Sequence, residues 1–162
     1  MRAFSSICEI LVTVVLLFLI PVCFFWYQQE LLLQGDVQYQ VIYFTDSIRN
    51  TGFISAGMYD SFCEKLARTS HSYDIQLSVY KTYWNGGQSE PYCLGTYTEE
   101  ILDRIYEKGE RYTMHQGDFI SVSVYRRDSG FVERMLKFMG AGNMSGCEIP
   151  IRYGGMVRDE CF

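Results

Sequence analysis

The sequence predicts an α+β fold: a long N-terminal transmembrane and stem helix, then a small globular head with an antiparallel sheet of about three strands and short helices. Three observations carry that expectation. From Ile10 to Tyr27 there is no charged side chain. Beyond this run, Val37, Val41, Phe44 and Ile48 recur at steps of four, three and four, which is a helical period. Further on, "SYDIQLSVYK" and "GDFISVSVYRRD" alternate apolar with polar residues, the period of half-buried strands.

The apolar run comes first. At about 1.5 Å per residue it makes a helix of roughly 27 Å, close to the ~30 Å hydrocarbon core of a bilayer. Arg2 is the only basic residue before it, and none follows until Arg49. That asymmetry favours a cytoplasmic N-terminus and an extracytoplasmic head. The segment "VCFFWYQQELLLQGD" is bulky where signal peptidase needs small residues, so a retained signal-anchor is favoured over a cleaved signal peptide. Leu16 lies mid-span, Pro21 is a candidate kink, and Trp26 and Tyr27 suit the outer interface as aromatic anchors. Glu9 falls at the cytoplasmic edge, where a carboxylate costs far less than the ~3 kcal/mol of the bilayer centre.

The second observation extends the helix. Residues 1–27 are assigned to the flank and span, 28–52 to a stem, and 53–162 to the head. One helix from about Phe4 to Asn50 is expected, the alternative being a span followed by a separate amphipathic helix. "RNTG" stops it, because Asn50 or Gly52 can take the left-handed conformation that ends helices.

The head follows in order. Ser55 caps a short helix whose Met58, Tyr59, Phe62, Cys63 and Leu66 share a face. Tyr73, Ile75, Leu77 and Val79 then face one way in a strand. "YWNGGQSEPYCLG" reads as a loop or hairpin tip. "TYTEEILDRIYEKG" reads as a helix with a capping box, Thr96 with Glu99. Ile120, Val122 and Val124 line a second strand, and Phe131, Met135, Phe138 and Met139 a third small helix ending at Gly140. Ile149, Ile151 and Tyr153 line a last strand, which Pro150 assigns to a sheet edge because proline has no N–H.

Charge and side-chain chemistry narrow the functions. The chain carries a net charge of −5, and an acidic head without a basic cluster argues against nucleic acid as a partner. Cys8 and Cys23 belong to the membrane segment. Cys63, Cys93, Cys147 and Cys161 would be exported, and allow either two disulfides in three pairings or four free thiols. None is spaced as C-x-x-C. His71 and His115 lack a second ligand at metal spacing and read as solvated turn residues, so no metal or cofactor is expected. No serine sits in a G-x-S-x-G setting, and Glu99, Glu100 and Asp103 read as a solvated helix face with its acids in the first turn. "WNGG" and "RYGGM" lack the spacing of a phosphate loop, and "NMS" at Asn143 matters only where glycosylation operates. Nothing specifies an enzyme or a small-molecule substrate.

Two stretches carry a resemblance. "DSIRNTGFISAGMYDSFCEKLARTSHSYDIQLS" supplies Asp46, Ile48, Arg49, Gly52, Ile54, Met58, Tyr59 and Tyr73-Asp74-Ile75. Gly117-Asp118 with Ile120 and Val122 follows, then "GGMVRD" from Gly154 to Asp159. In this order they resemble small membrane-anchored, pilin-like proteins associated with tight-adherence (Tad) pili and related type IV pilus or type II secretion machinery of Gram-positive bacteria. The resemblance implies a non-enzymatic minor pilin or pseudopilin at the bacterial cell membrane or in a surface filament. Its partners would be the membrane, other pilin-like subunits and assembly-platform proteins. It also implies a register role for Glu9: in type IV pilins a glutamate at the fifth mature position pairs with a neighbour's N-terminal amine. Cleavage before Phe4 would put Glu9 sixth, and cleavage after Phe4 would put it fifth. Arg49, at the stem–head junction with Asp46 and Gly52, is expected to pair with Asp46 or to tie the helix to the head. The competing expectation is a single-pass extracytoplasmic binding module that does not polymerise.

Overall fold

A computed structural model describes residues 2–69, 71–83, 92–127, 140 and 150–158. Its elements are α1 (Arg2–Thr51), β1 (Phe53–Ile54), α2 (Ala56–Ala67), β2 (Tyr73–Tyr83), β3 (Tyr92–Tyr97), α3 (Thr98–Tyr106), β4 (Tyr112–Thr113), β5 (Phe119–Arg126) and β6 (Ile151–Met156). The fold is α+β, with a long apolar N-terminal helix followed by a small domain of antiparallel sheets and short helices. Contacts define two compact units, one holding α1 as far as Gly35 and one holding the strands and helices from Asp36 onward.

In the first unit α1 runs through Pro21 without interruption. Large apolar side chains are exposed along it from Ile7 to Leu32. This helix is long and apolar enough to cross a membrane, by length and composition.

In the second unit the expected helical stripe proves to be core. Val37, Val41, Phe44 and Ile48 are all buried, together with Thr45, whose hydroxyl donates to the Val41 carbonyl. The segment from Asp36 is therefore part of the head rather than a separate stem over 28–52. The reason is physical: a stripe at helical period on a short domain is the largest apolar face available to cover a sheet. Helix α2 supplies Phe62 and Leu66 to the same core, and the Phe44 and Phe62 rings stack with centroids 4.3 Å apart. Ser55 caps α2 as its position suggests, accepting from the Met58 N–H.

The main sheet is antiparallel, in the order β3-β2-β5-β6, and β1 and β4 form a separate two-residue pair. Register aligns Leu77 with Val122, Val79 with Ile120, and Val122 with Tyr153. The inward residues Leu77, Val79, Ile120 and Val122 are fully buried, while the intervening positions face outward. Strand β6 lies at an edge, as Pro150 requires.

Two readings of the sequence are corrected. The sheet has four strands rather than about three, because Tyr92–Tyr97, read as the end of a loop or hairpin tip, pairs antiparallel with β2. Gly95 looks like a turn residue in sequence but faces Tyr80 across the pair, and the Tyr80 ring occupies the space above it. Thr96 is not a helix cap: it is a buried strand residue, and α3 starts two residues later. Thr98 takes the anchoring role, its hydroxyl meeting the Leu77 N–H at 2.8 Å and the Leu77 carbonyl at 3.2 Å. The helix expected near Phe131–Met139, together with Asn143, Cys147, Ile149, Asp159 and Cys161, lies outside the described residues.

Candidate functional site: the end of the long helix against the sheet

Residues that carry the sequence motifs meet at the C-terminal end of α1. The helix stops at Gly52, which has φ +71°, its N–H donating to the Ile48 carbonyl at 2.8 Å and its own carbonyl accepting from Met114 N–H at 2.8 Å. Just before that stop, the Arg49 guanidinium bonds Asp46 at 2.7 Å and donates through Nε to the Met156 carbonyl at 3.0 Å. The Arg158 N–H returns a bond to the Arg49 carbonyl at 2.9 Å. Tyr153 adds a longer contact to Asp46 at 3.4 Å. The Arg49 side chain is 15% exposed and that of Asp46 is 41% exposed. Helix end and edge strand are thus tied through side chain and backbone alike.

The glycine pair makes this approach geometrically possible. A Cβ on Gly155 would lie 2.7 Å from the Arg49 guanidinium carbon, and one on Gly154 would lie 2.6 Å from the Ile120 carbonyl oxygen. Beside them, Gly117 (φ +93°) turns the chain into β5, and its N–H donates to the Val157 carbonyl at 3.1 Å. Buried Asp118 accepts from His115 N–H through its carboxylate and from Val157 N–H through its carbonyl. Hence "GD" and "GGMVR" are two sides of one hydrogen-bonded corner, and Val157 is buried within it. Most polar groups here bond backbone, while the Asp46 carboxylate takes Arg49 and Tyr153, an arrangement that suits mechanical attachment.

The other candidate residues are placed as follows. Glu9 is on α1, where its backbone carbonyl accepts from the Thr13 hydroxyl at 2.8 Å, and Leu16, Trp26 and Tyr27 are exposed along the same helix. Cys63 and Cys93 are free thiols and are not joined to each other. Burial pushes the Cys63 thiol up from its ordinary value, against the opposing effect of its hydrogen bond with Tyr59, which makes it a poor nucleophile. Burial likewise raises the neighbouring Tyr59 phenol well beyond the usual tyrosine range. The hydrogen bond to Asp60 pushes Tyr106 up to about 12. Tyr106 packs edge-on against Tyr59, linking α3 to α2. His71 lies beside Arg126 at 3.3 Å, and among the described residues no cluster of His, Cys, Asp and Glu could hold a metal ion.

One feature had no signal in the sequence. Between α1 and α2 lies a groove of about 450 Å³, lined by Tyr43, Phe44, Ser47, Gly57, Ser61 and Lys65 among others. The ammonium of Lys65 sits 4.7 Å from the centre of the Tyr43 ring. Periodicity locates Phe44 and Phe62 on apolar faces, but nothing local says that small residues of two helices will leave a space between them. Comparison with protein-family models, with curated proteins and with solved structures returns no match for this chain.

Proposed function

We propose that the protein is a membrane-anchored, pilin-like subunit of a Tad-like or type IV-like filament or secretion apparatus, without enzymatic activity, anchored and assembled through α1. The observation that carries this reading is the division of labour within α1. From Ile10 to Tyr27 it exposes an uncharged apolar surface, for which lipid or another apolar helix is the stable environment. Each Leu, Ile, Phe or Val there gains roughly 0.3–0.6 kcal/mol on insertion at the bilayer centre. From Asp36 the helix is a core element of the head, fastened at its end by Arg49. A head built around the end of its own anchor cannot part from it without unfolding. That suits a subunit whose head is moved by the helix. In an assembly, Glu9 sets register, since a carboxylate among apolar helices demands a partner. The motif resemblance supports the same class, and the charge asymmetry about the span, Arg2 before it and no basic residue until Arg49, favours a head outside the cell.

Photocrosslinking from Leu16 in living cells tests the reading, combined with mass spectrometry of the mature N-terminus. Adducts between two copies, or with another apolar-helix subunit, are expected. Adducts with lipid alone would overturn assembly and leave a single-pass binding module. A mature N-terminus at Phe4 or Ser5 would mark pilin-type processing; an intact one would remove processing from the account and keep an accessory subunit.

A further inference from the structure

Among the described residues, the α1–α2 groove holds a cation without a counter-charge. Lys65 is half-buried over Tyr43, and among the described residues no carboxylate pairs with it. A lysine so placed attracts an acid, and the attraction must be local, because two copies of net charge −5 repel one another overall. The floor is apolar and aromatic, formed by Phe44, Phe62 and Met58, so a fitting occupant presents a ring beside its acids.

Most exposed tyrosines of the described head are otherwise engaged, Tyr80 with Phe119 and Tyr83 among them. Tyr39 stacks on Tyr43 at the groove's own rim, and Tyr106 is bonded to Asp60. Tyr97 is 62% exposed and directly precedes α3, whose first turn carries exposed Glu99 and Glu100, the latter also facing Arg104 at 3.6 Å. We propose that the α1–α2 groove of one copy receives the Tyr97–Glu100 corner of a second copy, the ring entering beside Phe44 and Phe62 and the acids meeting Lys65. The two surfaces are different patches of one chain, so where each copy meets a different neighbour through each patch the contact is heterologous and builds a ring or a filament. The inference rests on the assembly reading and names a head-to-head contact within it.

The test is charge exchange in the full chain, reconstituted in detergent micelles, with self-association followed by analytical ultracentrifugation. Lys65→Glu and the pair Glu99→Lys with Glu100→Lys should each weaken association by at least about tenfold, because like charges then face across the contact. An equimolar mixture of the two variants restores opposite charges at every contact and should associate as the wild type does. Gly57→Leu fills the groove from a position where a Cβ meets open space, and should weaken association without loss of the fold. Recovery in the mixture excludes misfolding as the cause of the single losses. Variants that associate like the wild type, or a mixture that does not recover, would overturn the docking while assembly stands. A wild type that stays monomeric at every concentration would overturn both.

Discussion

Gly154 and Gly155 are neighbours in β6, yet each lacks a side chain for its own reason. The obstacle at Gly154 is backbone, the Ile120 carbonyl of the paired strand, which cannot move without breaking the ladder. The obstacle at Gly155 is the guanidinium of Arg49, held by Asp46 and by the Met156 carbonyl. Gly154→Ala should therefore cost about 1–3 kcal/mol as an overpacked site, read from the denaturant midpoint in micelles. Gly155→Ala should be destabilising only while Arg49 is present. In an Arg49→Ala background it should become nearly neutral, and a double-mutant cycle with no coupling would disprove the packing argument. Arg49→Ala itself should lose about 1.5–3 kcal/mol for its charged hydrogen bond to a carbonyl, with at most about 1 kcal/mol from the partly exposed Asp46 pair. Arg49→Lys keeps the charge but not the planar fork, and should recover only part of that loss.

At the scale of elements, α1 is two helices' worth of function in one. Ile48→Ala empties a fully buried site in the head and should cost about 2–5 kcal/mol. Leu16→Ala, on an exposed part of the same helix, should leave the head's stability within about 0.5 kcal/mol. Near-UV circular dichroism of the two variants during denaturation separates them, and equal losses would contradict the separation. Much of this architecture is legible in sequence because periodicity survives burial: α1, α2, β2, β5 and the edge position of β6 all follow from spacing, one cap and one proline. Strand β3 is not, since Gly95 resembles a turn residue until Tyr80 is seen above it, and because Thr96 with Glu99 imitates a capping box while Thr96 lies in the strand. At the junction the Arg49–Asp46 pair and the tie to the head are legible in sequence, whereas the partner strand of that tie is not. Arg49 and Met156 are separated by 107 positions, and only folding brings them to 3.0 Å. The groove was illegible for a related reason, being a space left by two helices rather than a pattern in either.

Across the whole head, tyrosines impose a pH limit. Burial raises the Tyr59 and Tyr112 phenols, and the Asp60 hydrogen bond raises Tyr106 to about 12, all from an ordinary value of 10.0. Each group thus holds its proton more tightly folded than unfolded. The stability it contributes is complete below about pH 10, and is lost as pH climbs from there through the raised folded values, because the unfolded chain releases protons first. Cys63 adds to the same slope from a lower start, its ordinary value being 9.0. The denaturant midpoint in micelles should therefore be flat from neutrality to about pH 9 with respect to these groups, and then fall progressively toward pH 12. Tyr106→Phe removes one raised phenol and frees Asp60, so its midpoint should start lower at neutral pH and fall less steeply above pH 10. A Tyr106→Phe variant that loses stability with the wild-type slope would show that the Asp60 contact does not hold the phenol's proton. A midpoint that stays level to pH 12 would mean that the three tyrosines ionise as freely in the folded head as in water.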